Sequence, residues 1–184
     1  MFNEKKVAQM AAYLLHKRGG SMAFLKLMKL LYLSDRKSME WYGEPISGDK
    51  YYSMDRGPVL SNTYAIISYG GDGGDWSRWI NSPQNYNVSL VSEINELSDL
   101  EDLSRADIKA MDAVYGEYGH WNRFQLCDQT HDICPEWKPA NGSAIPIKIK
   151  DIFRALGKSD EEAEELTGIL QEREQLERLT ADLR

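Results

Sequence analysis

Lys26-Leu27-Met28-Lys29-Leu30-Leu31-Tyr32 is the stretch on which the fold turns. It lies inside a segment, residues 21–42, where Leu27, Leu30, Leu31, Ser34 and Met39 recur at helical spacing. That spacing predicts one long helix from Ser21 to Tyr42, stopped by Gly43 and Pro45. The apolar residues trace its inner face. Lys26, Lys29, Arg36 and Lys37 fall mostly outside that face and are expected in solvent.

Outward from this helix, residues 4–18 read as a second amphipathic helix, with Asn3 as its cap and Gly19-Gly20 as its end. On the other side, Lys50–Met54 reads as a short strand, Gly57-Pro58-Val59 as a break, and Ser61–Tyr69 as a helix. Residues 70–87 look loop-like, and Gly70–Asp75 reads as a flexible acidic turn. Val88–Val91 is compatible with a strand. Ser104 with Asp107 forms a capping-box pattern that opens a helix carrying Ile108, Met111, Val114 and Tyr115. Asn122 caps a helix over Arg123–Thr130. Ile145–Ile149 is expected at a sheet edge, because Pro146 cannot donate to a ladder. A short helix follows over Asp151–Leu156, ended by Gly157. Ser159 with Glu162 then caps a long terminal helix. The expected fold is α+β: a mainly α-helical single domain, residues 1–157, with a small antiparallel β-sheet, and a C-terminal acidic amphipathic helix, residues 158–184. Its core should include Leu14, Leu27, Leu30, Leu31, Tyr32, Val59, Tyr64, Met111, Val114, Leu126 and Trp137.

Bulk properties narrow the function. The chain of 184 residues is 42% apolar and 28% charged, ordinary for a globular protein. No apolar run approaches the roughly 20 residues that span a bilayer. Two cysteines, Cys127 and Cys134, suit free thiols in a reducing cytoplasm. The net charge of -7 is uneven: residues 1–38 carry +6 and residues 158–184 carry -5. A bulk acidic protein is a poor general binder of nucleic acid.

Catalytic chemistry has no nominee. Nucleophile-elbow, zincin and Rossmann patterns are absent. Cys127, His131 and Cys134 lack the tight spacing of a zinc knuckle, so buried reduced thiols are expected and no metal. No cofactor is called for.

Three segments together carry a resemblance. Lys26-Leu27-Met28-Lys29-Leu30-Leu31-Tyr32 is similar to the Lys-Leu-x-Lys-Leu-Leu-Tyr helix of the Panacea-domain (SocA-like) antitoxins of bacteria and their phages. Gly57-Pro58-Val59 followed by Tyr64 resembles that family's Gly-Pro-Val-x(4)-Tyr segment. Leu126, Thr130-His131 and Trp137 resemble its Leu…Thr-His…Trp ending. The resemblance implies a non-enzymatic antitoxin that neutralises a cognate toxin by direct binding. The residues themselves read as scaffold: Gly57 suits a sharp turn, Pro58 an extended entry to the next helix, and Thr130, His131 and Trp137 a satisfied buried network.

Two surfaces are candidates for partners. The terminal helix carries Ile169, Leu176 and Leu183 every seven residues, with Leu179 in register and Glu172 interrupting, as an imperfect seam on an acidic background that also holds Leu166. Such a helix lies in a partner's groove or folds back on its own domain. Trp76 and Trp79 are expected to add exposed aromatics. The alternative is a helix-turn-helix-type DNA-binding regulator built on the basic helices 4–42. Against it, Met22, Ala23, Phe24 and Leu25 occupy the end where polar base readers belong. Nucleic acid is therefore the disfavoured partner. Homo-oligomerisation stays open.

Overall fold

The computed structural model describes residues 1–69 and 74–181. Helix α1 (Glu4–Arg18) starts where the Asn3 Oδ1 accepts the Lys6 amide at 3.0 Å, and ends at Gly19 with φ 90°. Every residue from Val7 to Leu15 is buried, so α1 runs through the middle of the molecule rather than along its surface.

The chain then departs from the expected single helix. Ser21–Ala23 form strand β1, and α2 begins only at Phe24 and runs to Tyr42. Gly20, at φ 98°, turns the backbone so that β1 pairs antiparallel with residues 87–89 further along. Strand β2 (Tyr51–Met54) and strand β3 (Gly57–Leu60) make a hairpin with Met54 opposite Gly57. The expected break at Gly57-Pro58-Val59 is thus a strand. Gly57 takes φ 96° to close the turn, and Pro58 sits on the outer edge of the sheet. Helix α3 (Ser61–Tyr69) follows. Buried Asp49 accepts the Asn62 and Thr63 amides at its start, at 3.0 and 2.9 Å.

Helix α4 (Asp75–Trp79) corrects the loop expected over residues 70–87, and residues 70–73 of the expected acidic turn lie outside the described residues. Strand β4 (Asn87–Ser89) and a 3-10 turn (Leu97–Asp99) lead to α5 (Arg105–Tyr118), which starts with the predicted capping box at Ser104 and Asp107. Helix α6 (Arg123–Ile133) starts at the predicted cap Asn122. Strand β5 (Ile145–Ile147) completes an antiparallel sheet of order β3-β2-β5, with Pro146 on the edge as predicted. Helix α7 (Ile149–Ala155) and helix α8 (Asp160–Ala181) end the chain. The fold is mainly helical α+β, 59% helix among the described residues, with antiparallel sheets of two and three strands and a C-terminal helix.

Of the expected core, Tyr64 and Trp137 are partly buried and the other nine are buried. Helix α2 packs on α5, α6 and β3, which makes it the central support of the sheet. No helix among the described residues is long and apolar enough to cross a membrane.

Candidate functional site

The motif helix does not place its lysines in solvent. Lys29 has no exposed surface and Lys26 almost none. The Lys26 ammonium donates to the Gly119 and Trp121 carbonyls at 2.6 and 2.7 Å, closing the junction between α5 and α6. The Lys29 ammonium donates to the Pro58 carbonyl at 2.8 Å. No carboxylate pairs with it among the described residues. Burial lowers its pKa to about 8. Reading these lysines as outward-facing therefore fails. Their aliphatic stems pack like core residues while backbone carbonyls, brought from distant segments, receive the charge.

Gly57 explains why the second motif sits beside the first. A Cβ there would lie 2.6 Å from the Thr130 Oγ1 and 3.0 Å from the Lys29 Nζ. Only glycine lets β3 approach α2 and α6 this closely at a positive φ. Thr130 itself donates to the Cys127 carbonyl at 2.7 Å. Lys29, Gly57, Pro58 and Thr130, drawn from all three motif segments, thus form one cluster. Trp137 extends it, donating from Nε1 to the Met54 carbonyl at 2.8 Å, and His131 stacks on its ring. The expected satisfied network is incomplete at one atom: the His131 Nε2 is buried without a hydrogen-bond partner among the described residues.

Tyr32 leads to a residue that the sequence reading missed. Its hydroxyl donates to the Glu136 Oε1 at 2.7 Å, and the Arg36 Nε donates to the same oxygen at 2.9 Å. Glu136 is a buried acid from the loop after α6, and nothing in its local sequence marks it. Leu27, Leu30 and Leu31 pack beneath it all as predicted.

A 270 Å³ pocket opens beside this cluster, between the start of α2, the β2–β3 turn and the Gly142-Ser143 loop. Val59 and Tyr64 of the second motif line it, together with Lys29 and Arg56.

The partner candidates divide. Trp76 is 4% exposed and covers α1, its amide donating to the Glu4 carboxylate at 3.1 Å, so it is not a surface anchor. Trp79 is half-buried against the core. Along α8, Ala163 is buried, and Leu166 and Leu170 pack on the body. Leu166 reaches Gly43, where a Cβ would stand 3.1 Å from its Cδ2. Ile169, between Leu166 and Leu170, is 46% exposed, and beyond them Leu176 is 62% and Leu179 64% exposed. Leu183 lies outside the described residues. Arg173 reaches Glu44, and the N-terminal ammonium meets Glu177 at 3.2 Å, so the helix crosses the body and keeps its outer stripe free. Trp41 and Tyr42, unremarked in the sequence reading, stand exposed at the end of α2.

The helix-turn-helix alternative loses its geometry. A strand separates α1 from α2, α1 is buried through its middle, and two of the α2 cations are bound to carbonyls. Cys127 and Cys134 are buried free thiols, and no group of His, Cys, Asp and Glu among the described residues is placed to hold a metal ion.

A family model described as "Antitoxin SocA-like, Panacea domain" matches residues 27–138. No curated protein and no solved structure matches the chain.

Proposed function

Because the chain belongs to the SocA-like, Panacea-domain antitoxin family, we propose that it neutralises a cognate toxin by direct, non-covalent binding. The outer stripe of α8 is part of the contact surface. One observation carries the second statement. Ile169, Leu176 and Leu179 remain exposed on a helix whose Ala163, Leu166 and Leu170 are already packed. Residues 1–157 act as the antitoxin domain and α8 as an arm anchored near its start by Ala163 and Leu166. An exposed apolar row at heptad spacing is the seam a partner helix or groove takes up. Trp41 and Tyr42 extend the same region through the neighbouring Gly43 and Glu44, and aromatics commonly supply interface anchors. The -5 charge of residues 158–184 suits a basic partner such as a toxin that binds RNA.

The test is rescue in cells. The reading frame adjacent to this gene is expressed alone and with the full chain. Growth arrest by the first and relief by the second are expected. Leu176→Asp with Leu179→Asp, both exposed, should leave the circular dichroism spectrum unchanged and abolish rescue. Rescue at the wild-type level by this folded variant removes the α8 stripe from the interface. Absence of any arrest or relief removes the antitoxin reading for that gene pair.

A further inference from the structure

We propose that the pocket between α2, the β2–β3 turn and the Gly142-Ser143 loop binds the C-terminal residue of a protein chain, holding an apolar side chain inside and its α-carboxylate at the rim. That this chain end belongs to the toxin rests on the antitoxin reading; the recognition chemistry does not.

Three observations converge. The interior is apolar, walled by Phe24, Leu25, Met28, Met54, Val59 and Tyr64. Its 270 Å³ is below the size of an ordinary ligand cleft and suits about one residue. Two cations face this small apolar space. The Lys29 ammonium is buried in its wall with no carboxylate partner among the described residues, which is an uncommon and costly placement. Arg56 stands exposed at the mouth and makes no ion pair among the described residues. Asp55 is the one acid of the lining, and its carboxylate is turned to the Gly142 amide at 3.0 Å.

An apolar cavity with uncompensated positive charge attracts a group that is apolar and anionic over a few ångströms. Within a polypeptide, aspartate and glutamate carry charge without an apolar body, and leucine or phenylalanine the reverse. Only the last residue joins both, because its α-carboxylate is free. The guanidinium of Arg56 matches a carboxylate through paired N–H donors. Lys29 acts through the wall by its field. Gly57 keeps that wall thin, since a side chain there would collide with the ammonium.

The probe is N-acetyl-L-phenylalanine, with N-acetyl-L-phenylalanine amide as its uncharged control. Amide shifts of the isotopically labelled full chain report binding. The acid should produce saturable shifts at Gly57, Gly142 and Ser143, with a Kd on the order of a millimolar. The amide should bind at least tenfold more weakly. Arg56→Gln, a surface change that keeps the fold, should weaken the acid several-fold and leave the amide unchanged. Lys29→Met should act in the same sense, its own spectrum showing whether the fold is kept. Equal shifts from acid and amide, or shifts confined to other residues, overturn the proposal. A second arm uses the last eight residues of the adjacent gene's product, with free and amidated ends. Displacement of the acid by the free-ended peptide alone supports a toxin chain end as the occupant. Binding of the small acid without the peptide overturns that occupant, while the antitoxin reading stands or falls on the rescue experiment.

Discussion

The imidazole of His131 lies flat on the indole of Trp137, ring centroids 3.8 Å apart and planes within 13°. The pair ties the end of α6 to the hairpin, because the indole Nε1 also donates to the Met54 carbonyl of β2. Residues far apart in the chain are thereby held on one side of the sheet.

Two changes at Trp137 separate stacking from hydrogen bonding. Trp137→Phe keeps an aromatic surface under His131 and loses the Nε1 donor, at an expected cost of about 1 kcal/mol. Trp137→Ala removes both and should cost about 3 kcal/mol, toward the low end for aromatic truncation because the ring is only partly buried. Urea midpoints at constant m-value measure both. Equal losses for the two variants would show that the stack contributes nothing.

Lys29 gives a pH test. Its folded pKa is about 8 against an ordinary 10.5, with burial as the leading cause. Between these values the unfolded chain holds the proton and the folded chain has released it, so this group makes stability rise with pH across that window. The cost of burying the charge is fully present below pH 8. Lys29→Met should therefore raise stability by roughly 1–2 kcal/mol at pH 7, after loss of the bond to Pro58, and flatten the rise between pH 8 and 10.5. The buried thiols act in the opposite sense within this window, because burial raises Cys127 and pushes Cys134 up to about 12 and the unfolded chain loses those protons first, so the comparison of wild type with Lys29→Met is what isolates the lysine. Denaturant titrations at pH 7, 9 and 10.5 decide it; an unaltered pH profile in Lys29→Met excludes Lys29 as the source.

What the sequence disclosed and what it hid divide by the range of the interactions. Helix starts were legible because Asn3, Ser104, Asn122 and Ser159 cap their own amides within a few residues. The burial of Lys29 was not, since the carbonyl that satisfies it belongs to Pro58, beyond a separate loop. Trp76 sits next to a glycine-rich stretch and reads as exposed. It is buried because α1, buried from Val7 to Leu15, packs against α4 on one side. Leu166 and Leu176 are both apolar residues of α8, yet only the first meets the body. Periodicity identifies a face and leaves open where the body beneath it ends. The motif cluster was legible as a set of residues, whereas the pocket beside it depends on the distant Gly142-Ser143 loop.

Asp35 should pull stability the other way at acid pH. It is fully buried, and desolvation raises its pKa from 3.8 to about 6, although the Ile46 and Ser47 amides and the Tyr51 hydroxyl bond to it at 3.0, 2.9 and 2.9 Å. Between these pH values the folded chain holds a proton that the unfolded chain has lost. This group's contribution is thus fully present below pH 3.8 and is lost as pH rises through about 6. The fall amounts to roughly 2–3 kcal/mol. Asp35→Asn keeps an acceptor for the two amides and should remove that fall. Comparing urea midpoints of the two proteins at pH 4 and pH 6.5 isolates the residue. Parallel profiles would mean that Asp35 does not titrate in this range.

The acidic arm and its apolar stripe should separate in binding kinetics. Glu161, Glu165 and Glu172 are exposed on α8 and make no ion pair among the described residues. Changing all three to Gln removes three negative charges without touching the packing of Leu166 or Leu170. If the arm meets a basic toxin, association should slow several-fold at low salt, with little change in dissociation. The difference should shrink at 0.5 M salt, roughly, because exposed charges are then screened within a few ångströms. Leu176→Ala with Leu179→Ala should do the reverse. Apolar anchors make their contacts only after docking, so association should stay near wild type and dissociation should quicken at least tenfold. Stopped-flow or surface-based measurements against the purified partner give both rates. An association rate that ignores the three glutamines, together with a dissociation rate that ignores the two alanines, would place the interface away from α8.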